Sequence, residues 1–270
     1  MRGSGPTYDV SKGQLSNLLN TRKDEFKEEL SGARDASVSK VDTHHLDETG
    51  HKLNNHPLYT FCFSNIYMTY LSTFDRKTKS EAMSSVFVDG LYSLNDSALE
   101  YLKESSTILK KIKSHYLYSN KVLSKVGFEK VLDKSNLTKQ ERTKVLVAAA
   151  YGAYIAGKLG PPIKYLVTDD APNLGFWKRH QLCWVHEIRK YKLLDLYGHS
   201  ELLGGVIKRW FKFYNVLKQY KRCPSKKYRA IIWRFFNSIC NEDMKLPTLN
   251  KQLKLTYKNR KKLLYVLNNP

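Results

Sequence analysis

Residues 163–168, IKYLVT, form a run in which only Lys164 is charged, closed by Gly160-Pro161-Pro162 before it and by Asp169-Asp170 after it. A strand of this kind has no polar face to give to water. It belongs in the interior of a sheet with protein on both sides, which excludes an all-helical bundle and demands strand neighbours elsewhere in the chain. Two adjacent carboxylates at the point where such a strand opens onto a loop then call for a reason.

The stretch VDTHHLDETGHKLNNHPLYTFCFSNIYMTYLST (41–73) supplies the neighbours. It reads as three consecutive antiparallel strands. The first ends near Thr49, a turn runs through Gly50 and Asn54-Asn55, and the others cover 58–64 and 68–73. Helices are expected over 11–30, capped by Ser11 with Leu15, Leu18, Leu19 and Phe26 in one stripe, and over 79–88. Residues 96–156 read as mostly helical, broken near Gly127 and 134–136, and KQERTKVLVAAAYGAYIAG (139–157) is the clearest buried helix. Further helices fit 181–194, 199–222, 225–241 and 249–266, and the start, MRGSGPTYDV, reads as a flexible lead-in. The expected organisation is an N-terminal lead and helix (1–40), an α/β core with a mixed sheet (41–180) and a basic helical part (181–270).

Charge separates these parts. The chain of 270 residues carries a net charge of +21, and residues 161–270 hold 23 Lys and Arg against 7 Asp and Glu, a net of +16. Such a surface attracts polyanions, nucleic acid before membrane, and no apolar run is long enough to span a bilayer. Within LCWVHEIRKYKLL (182–194), helical spacing puts His186, Arg189 and Lys190 on one face, with Lys192 beside them. That face can grip phosphate or serve as a solvated basic surface. Lys208 and Arg209 extend the basic set, while Trp210, Phe211, Phe213 and Trp233 recur at helical spacing and read as core before base-stacking platforms. Cys183 and His186 make half of a zinc pattern with no second half. The four scattered cysteines and the absence of a signal peptide point to a reduced, cytoplasmic setting.

Strand, hairpin, strand, helices, strand with an acid at its end is an order that suits a ribonuclease-H-like fold. Asp47 and Asp169 are the candidate acids, each at a strand end; converging, they could hold Mg²⁺ or Mn²⁺ for phosphoryl transfer. Each also has a plain structural reading, Asp47 in an Asp-x-Thr-Gly turn and Asp169 as a helix cap. Side chains alternate along a strand, so only one of Asp169 and Asp170 can face the site, and Asp42 and Glu48 stand in reserve.

HHLDETGHKLNNHPLYTFCFSNIYMTYLST, YLVTDDAPNLGF and LCWVHEIRKYKLL, with SKGQLSNLL near the start and KKLLYVLNNP at the end, together resemble the transposases of the IS66-like insertion-sequence group, bacterial enzymes of the DDE class. The resemblance implies a metal-dependent recombinase with a ribonuclease-H-like core that cuts and joins DNA at element ends and target. It would act with other transposase copies on the bacterial nucleoid. It matches Asp47 to the family's first catalytic Asp and Asp169 to its second, and makes the helices after Cys183 an insertion before the catalytic Glu. No Glu after that insertion answers to the third acid, since Glu242 falls between insertion helices. The alternative expectation is a catalytically incomplete DNA-binding remnant.

Overall fold

The computed structural model describes residues 11–86, 90–114, 117, 119–156, 163–194 and 200–268. The lead-in of residues 1–10 and the Gly160-Pro161-Pro162 stop lie outside the described residues, as do the side chains of Leu15, Leu18 and Leu19. In chain order the elements are α1 (Lys12–Thr21), α2 (Lys23–Lys40), β1 (Thr43–Leu53), β2 (His56–Ser64), β3 (Thr69–Phe74), α3 (Lys79–Val86), β4 (Leu91–Leu94), α4 (Asp96–Tyr101), α5 (Ser106–Ser114), β5 (Ser119–Ser124), α6 (Lys125–Asp133) and α7 (Lys139–Ile155). They continue with β6 (Tyr165–Thr168), β7 (His180–Leu182), α8 (Trp184–Leu193), α9 (Ser200–Arg222), α10 (Lys226–Cys240), α11 (Pro247–Lys258), α12 (Arg260–Leu263) and a 3-10 turn at Tyr265–Leu267.

Asn54 and Asn55 both take positive φ, 50° and 64°, which asparagine tolerates and a tight two-residue hairpin turn requires. The turn therefore lies at these two residues alone, and β1 runs on through Gly50 to Leu53 instead of ending near Thr49. β3 pairs antiparallel with β2, and β6 docks parallel to β1. The result is a five-stranded mixed sheet in the order β3-β2-β1-β6-β7. β7, only three residues long, is too short to show a period in the sequence, and it makes β6 an interior strand.

One face of the sheet, with Leu46, Phe61, Phe63 and Leu166, packs into a core completed by Val38 of α2, Ala82 and Met83 of α3, and α7. α7 carries a full capping box: Thr138 accepts from the Glu141 N–H and Glu141 accepts in turn from the Thr138 N–H. A second core, from Leu182 to Leu267, belongs to α8–α12 and centres on Trp184, Trp210, Phe213 and Phe236, with ring centroids 5.0–6.2 Å from Trp184. Trp210 and Phe213 are fully buried, so they are core, whereas Phe211 is exposed.

Three elements differ from expectation. The single helix over 11–30 is two, parted at Arg22, and Phe26 is exposed. Within the region read as helical, β5 is a strand, and it pairs with β4 just ahead of that region in a second, two-stranded sheet, entered at Gly90 with φ +52°. The last helix breaks at Asn259. Among the described residues no helix is long and apolar enough to cross a membrane.

α7 meets β4 and α4 at Gly152, where an added Cβ would lie 2.6 Å from both Asn95 Oδ1 and the Ser93 carbonyl and 2.9 Å from Ala98 Cβ. The Asn95 amide also donates to the Gly152 carbonyl at 2.9 Å. In an open helix Gly→Ala gains up to about 1 kcal/mol. Here Gly152→Ala is expected to destabilise by about 1–3 kcal/mol through overpacking against backbone, read as a lowered midpoint in thermal or urea unfolding. A stabilised variant would mean that this contact is loose.

Candidate active site at the β1–β6 edge

The parallel register pairs Leu46 with Thr168, so the next residues, Asp47 inside β1 and Asp169 at the end of β6, are neighbours across the two interior strands. Alternation assigns their face. His44, Leu46, Leu166 and Thr168 are buried toward the first core, and Asp47 and Asp169 therefore project on the opposite face, which α8 and α9 partly cover.

Each carboxylate is oriented by its own backbone. Asp47 Oδ1 accepts from the Glu48 N–H at 2.9 Å, and Asp169 Oδ1 accepts from the Ala171 N–H at 2.9 Å. Neither residue fills the structural role expected of it: Asp47 lies within β1, not in a turn or at a strand end, and a turn instead of a helix follows Asp169. These backbone contacts leave Oδ2 of each to other partners. At Asp47 that partner is His186, whose Nε2 lies 3.6 Å from Oδ2. His186 is carried there because the Cys183 N–H donates to the Thr168 carbonyl at 2.7 Å, prolonging the β6–β7 pairing into the first turn of α8. Arg189 Nη1 stands 3.4 Å from the same His186 nitrogen, and His186 Nδ1 is buried without a partner.

The remaining basic residues divide. Lys190 donates to Glu187 Oε2 at 3.0 Å and to Asp170 Oδ2 at 3.3 Å. Burial opposes its charge, but these two carboxylates together raise its pKa above the ordinary lysine value. Its ammonium is committed inside the helical layer. Arg209 is likewise held, by Glu242 and the Ser238 carbonyl. Lys192 lies over the Phe211 ring at 5.4 Å, and Lys208 and Arg189 are exposed.

The other acids are occupied. Asp170 accepts from Asn259 at 2.9 Å besides Lys190. Glu187 is buried, one oxygen taken by Lys190 and the other by Thr256 and Gln252. Glu48 turns to the other side of β1, where Asn173 donates to it at 2.6 Å and Lys77 approaches to 3.7 Å. Asp42 pairs with Lys164 at 2.7 Å. Sequence reasoning missed Cys62, which lies directly opposite Asp47 in the β1–β2 register. Counting back from the Asn54-Asn55 turn would have found it.

Among the described residues no group of three or more His, Cys, Asp and Glu side chains is arranged to hold a metal ion. The donor chemistry of Asp47 and Asp169 does suit an oxygen-preferring dication such as Mg²⁺ or Mn²⁺, but two carboxylates leave most of its ligand positions to water. Comparison with protein-family models, curated proteins and solved structures finds no match.

The strands beside the acids rest on two buried histidines. Thr168 donates its hydroxyl proton to the Asp169 carbonyl at 2.6 Å, so it accepts from His180 Nε2 at 2.7 Å, which fixes that tautomer of a neutral ring. His44 stacks on Phe63 at 5.2 Å with both nitrogens unpartnered. Burial first, then neighbouring positive charge (His45 and Arg34 for His44, Lys262 for His180), lowers both from 6.5 to about 4. The unfolded chain therefore takes up these protons first. Stability is full above about pH 6.5 and falls as pH drops toward 4, by roughly 3 kcal/mol per histidine at the limit. Urea unfolding across this window should show the loss, and His44→Phe, which keeps a stacked ring, should flatten part of it. An unchanged slope in that variant would remove His44 from the account.

Proposed function

We propose that the chain is a DNA-binding protein of the DDE transposase type, with a ribonuclease-H-like sheet whose Asp47 and Asp169 capture a divalent ion. The observation that carries this reading is the β1–β6 register, which sets two acids from distant parts of the chain beside each other on one face. The strand order, with an antiparallel hairpin on one side of β1 and parallel strands on the other, supports it. So do the net +16 of residues 161–270 and the motif resemblance to insertion-sequence transposases.

A bound Mg²⁺ or Mn²⁺ would supply charge neutralisation at a phosphodiester and a more acidic water or hydroxyl. The chain's own residues orient two carboxylates through backbone N–H groups, and place His186 and Arg189 where they can meet a phosphate oxygen. One observation favours the second reading, a catalytically incomplete DNA-binding remnant. Glu187, Glu48, Asp170 and Asp42 are each engaged elsewhere, so no third acid joins the pair among the described residues.

Two measurements check these readings. Metal titration with Mn²⁺ should show weak binding that falls about 10-fold or more in Asp47→Asn and in Asp169→Asn, since even outer-shell changes cost that much at metal sites. On DNA carrying an element end, the chain alone should give no joined product, because misplacing reacting groups by about 1 Å already costs roughly 100-fold. Metal-dependent joining abolished by Asp169→Asn would establish the intact enzyme and place the third ligand within the chain.

DNA affinity should fall with salt at a log–log slope of about −0.9 per phosphate neutralised. Arg189→Ala and Lys192→Ala should each make that slope shallower by about one, while Lys190→Ala, whose ammonium is held by two acids, should lower stability instead. Fluorescence anisotropy across roughly 50–200 mM salt would read both. A flat salt profile would remove the electrostatic interface.

A further inference from the structure

Between the acid-bearing face of the sheet and α9 lies a cleft of about 430 Å³, lined from β1, β6, α9 and the 3-10 turn. The volume is that of a small-molecule site. His45 and Val167, in its wall, stand two residues before Asp47 and Asp169 on the same face, about 7 Å back along the strands. The cleft thus begins beside the acid pair and runs toward the opposite sheet edge.

Its lining combines two kinds of group. Tyr165, Tyr214 and Tyr265 present aromatic rings, with the Tyr165 and Tyr265 centroids 6.0 Å apart and inclined at 62°. Lys218 and Lys221, one turn apart on α9, bring two ammonium groups, and neither is paired with a carboxylate among the described residues. Lys218 instead lies 4.7 Å over the Tyr214 ring. The one carboxylate in the lining, Asp42, is already neutralised by Lys164 at 2.7 Å. His45 is solvent-accessible and opens onto the cleft. A concave site with excess positive charge and flat aromatic walls selects a ligand that is both anionic and planar.

We infer that this cleft binds a nucleoside monophosphate unit, its base among the tyrosines and its phosphate at Lys218 and Lys221. The inference stands on the lining of the cleft and does not require metal at Asp47 and Asp169. One ligand chemistry has two sources here, a free mononucleotide or a nucleotide within a single DNA strand.

The test is a titration by isothermal calorimetry, run with a chelator present so that failure of the metal site cannot mask the result. The probes are dAMP, inorganic phosphate and a short single-stranded oligonucleotide. Binding of dAMP tighter than phosphate, weakened about 10-fold or more in the double variant Lys218→Ala/Lys221→Ala, is expected from the loss of charge-assisted hydrogen bonds. The thermal midpoint should not change, because both lysines are exposed. Tyr214→Leu should bring dAMP down toward phosphate. An oligonucleotide tighter than dAMP assigns the strand as source, and equal affinity assigns the free nucleotide. Indifference of dAMP binding to the double variant, dAMP no tighter than phosphate, or no dAMP binding at all would overturn the inference.

Discussion

The pairing of β6 against β1 is the contact on which the rest of the structure depends. β6 has no polar face, so it is stable only with strands on both edges and protein on both faces. Its docking starts where the Tyr165 N–H donates to the Asp42 carbonyl, and on its other edge the Thr168 carbonyl accepts from Cys183 beyond β7. That ladder closes the first core, seeds the second through α8, and places Asp47 beside Asp169. Remove the pairing and the acids belong to separate pieces of chain.

Around this ladder, polar groups are settled locally before they are offered to a ligand. Asp47 and Asp169 each give one oxygen to a backbone N–H, which limits their rotamers without covering the second oxygen. The ion cluster that joins buried Glu187 to the partly exposed Lys190 and the exposed Asp170 does the opposite work. It spends its charges on holding α8, α11 and the loop after β6 together. In a structure this basic, acids that bridge elements are a scarce resource, and most of them are used for cohesion.

Much of the architecture was legible because its signals are local. The Asn-Asn turn between two alternating runs, the Thr138/Glu141 cap ahead of α7, and the apolar run ending on Asp169 each carry their meaning within a few residues. What escaped was either too short or non-local. β4 and β7, at four and three residues, fall below any readable period. The break of the last helix at Asn259 goes with a side chain that bonds Asp170, 89 residues earlier. Asp169 stood out as an acid at a strand end and Asp47 as one near the turn, where the structure instead extends β1 past it to Leu53, and their adjacency depends on a register between segments that sequence spacing does not set. The cleft under α9 is a property of two layers meeting, and its lysines and tyrosines are ordinary surface residues when read one at a time.

The same long-range pairing constrains the order in which the chain can assemble during synthesis. Asp42 and Lys164, bonded across the start of the ladder, are 122 residues apart. The β1–β3 meander, built from near neighbours, can form as soon as it leaves the ribosome, but the edge of β1 that awaits β6 then stays open while the intervening helices are made. An unpaired strand edge is a template for pairing with another chain. At elongation rates of about 5–20 residues per second, that exposure lasts several seconds, long against hairpin formation in microseconds. The nascent protein therefore passes through a window in which its central strand is paired on one edge only.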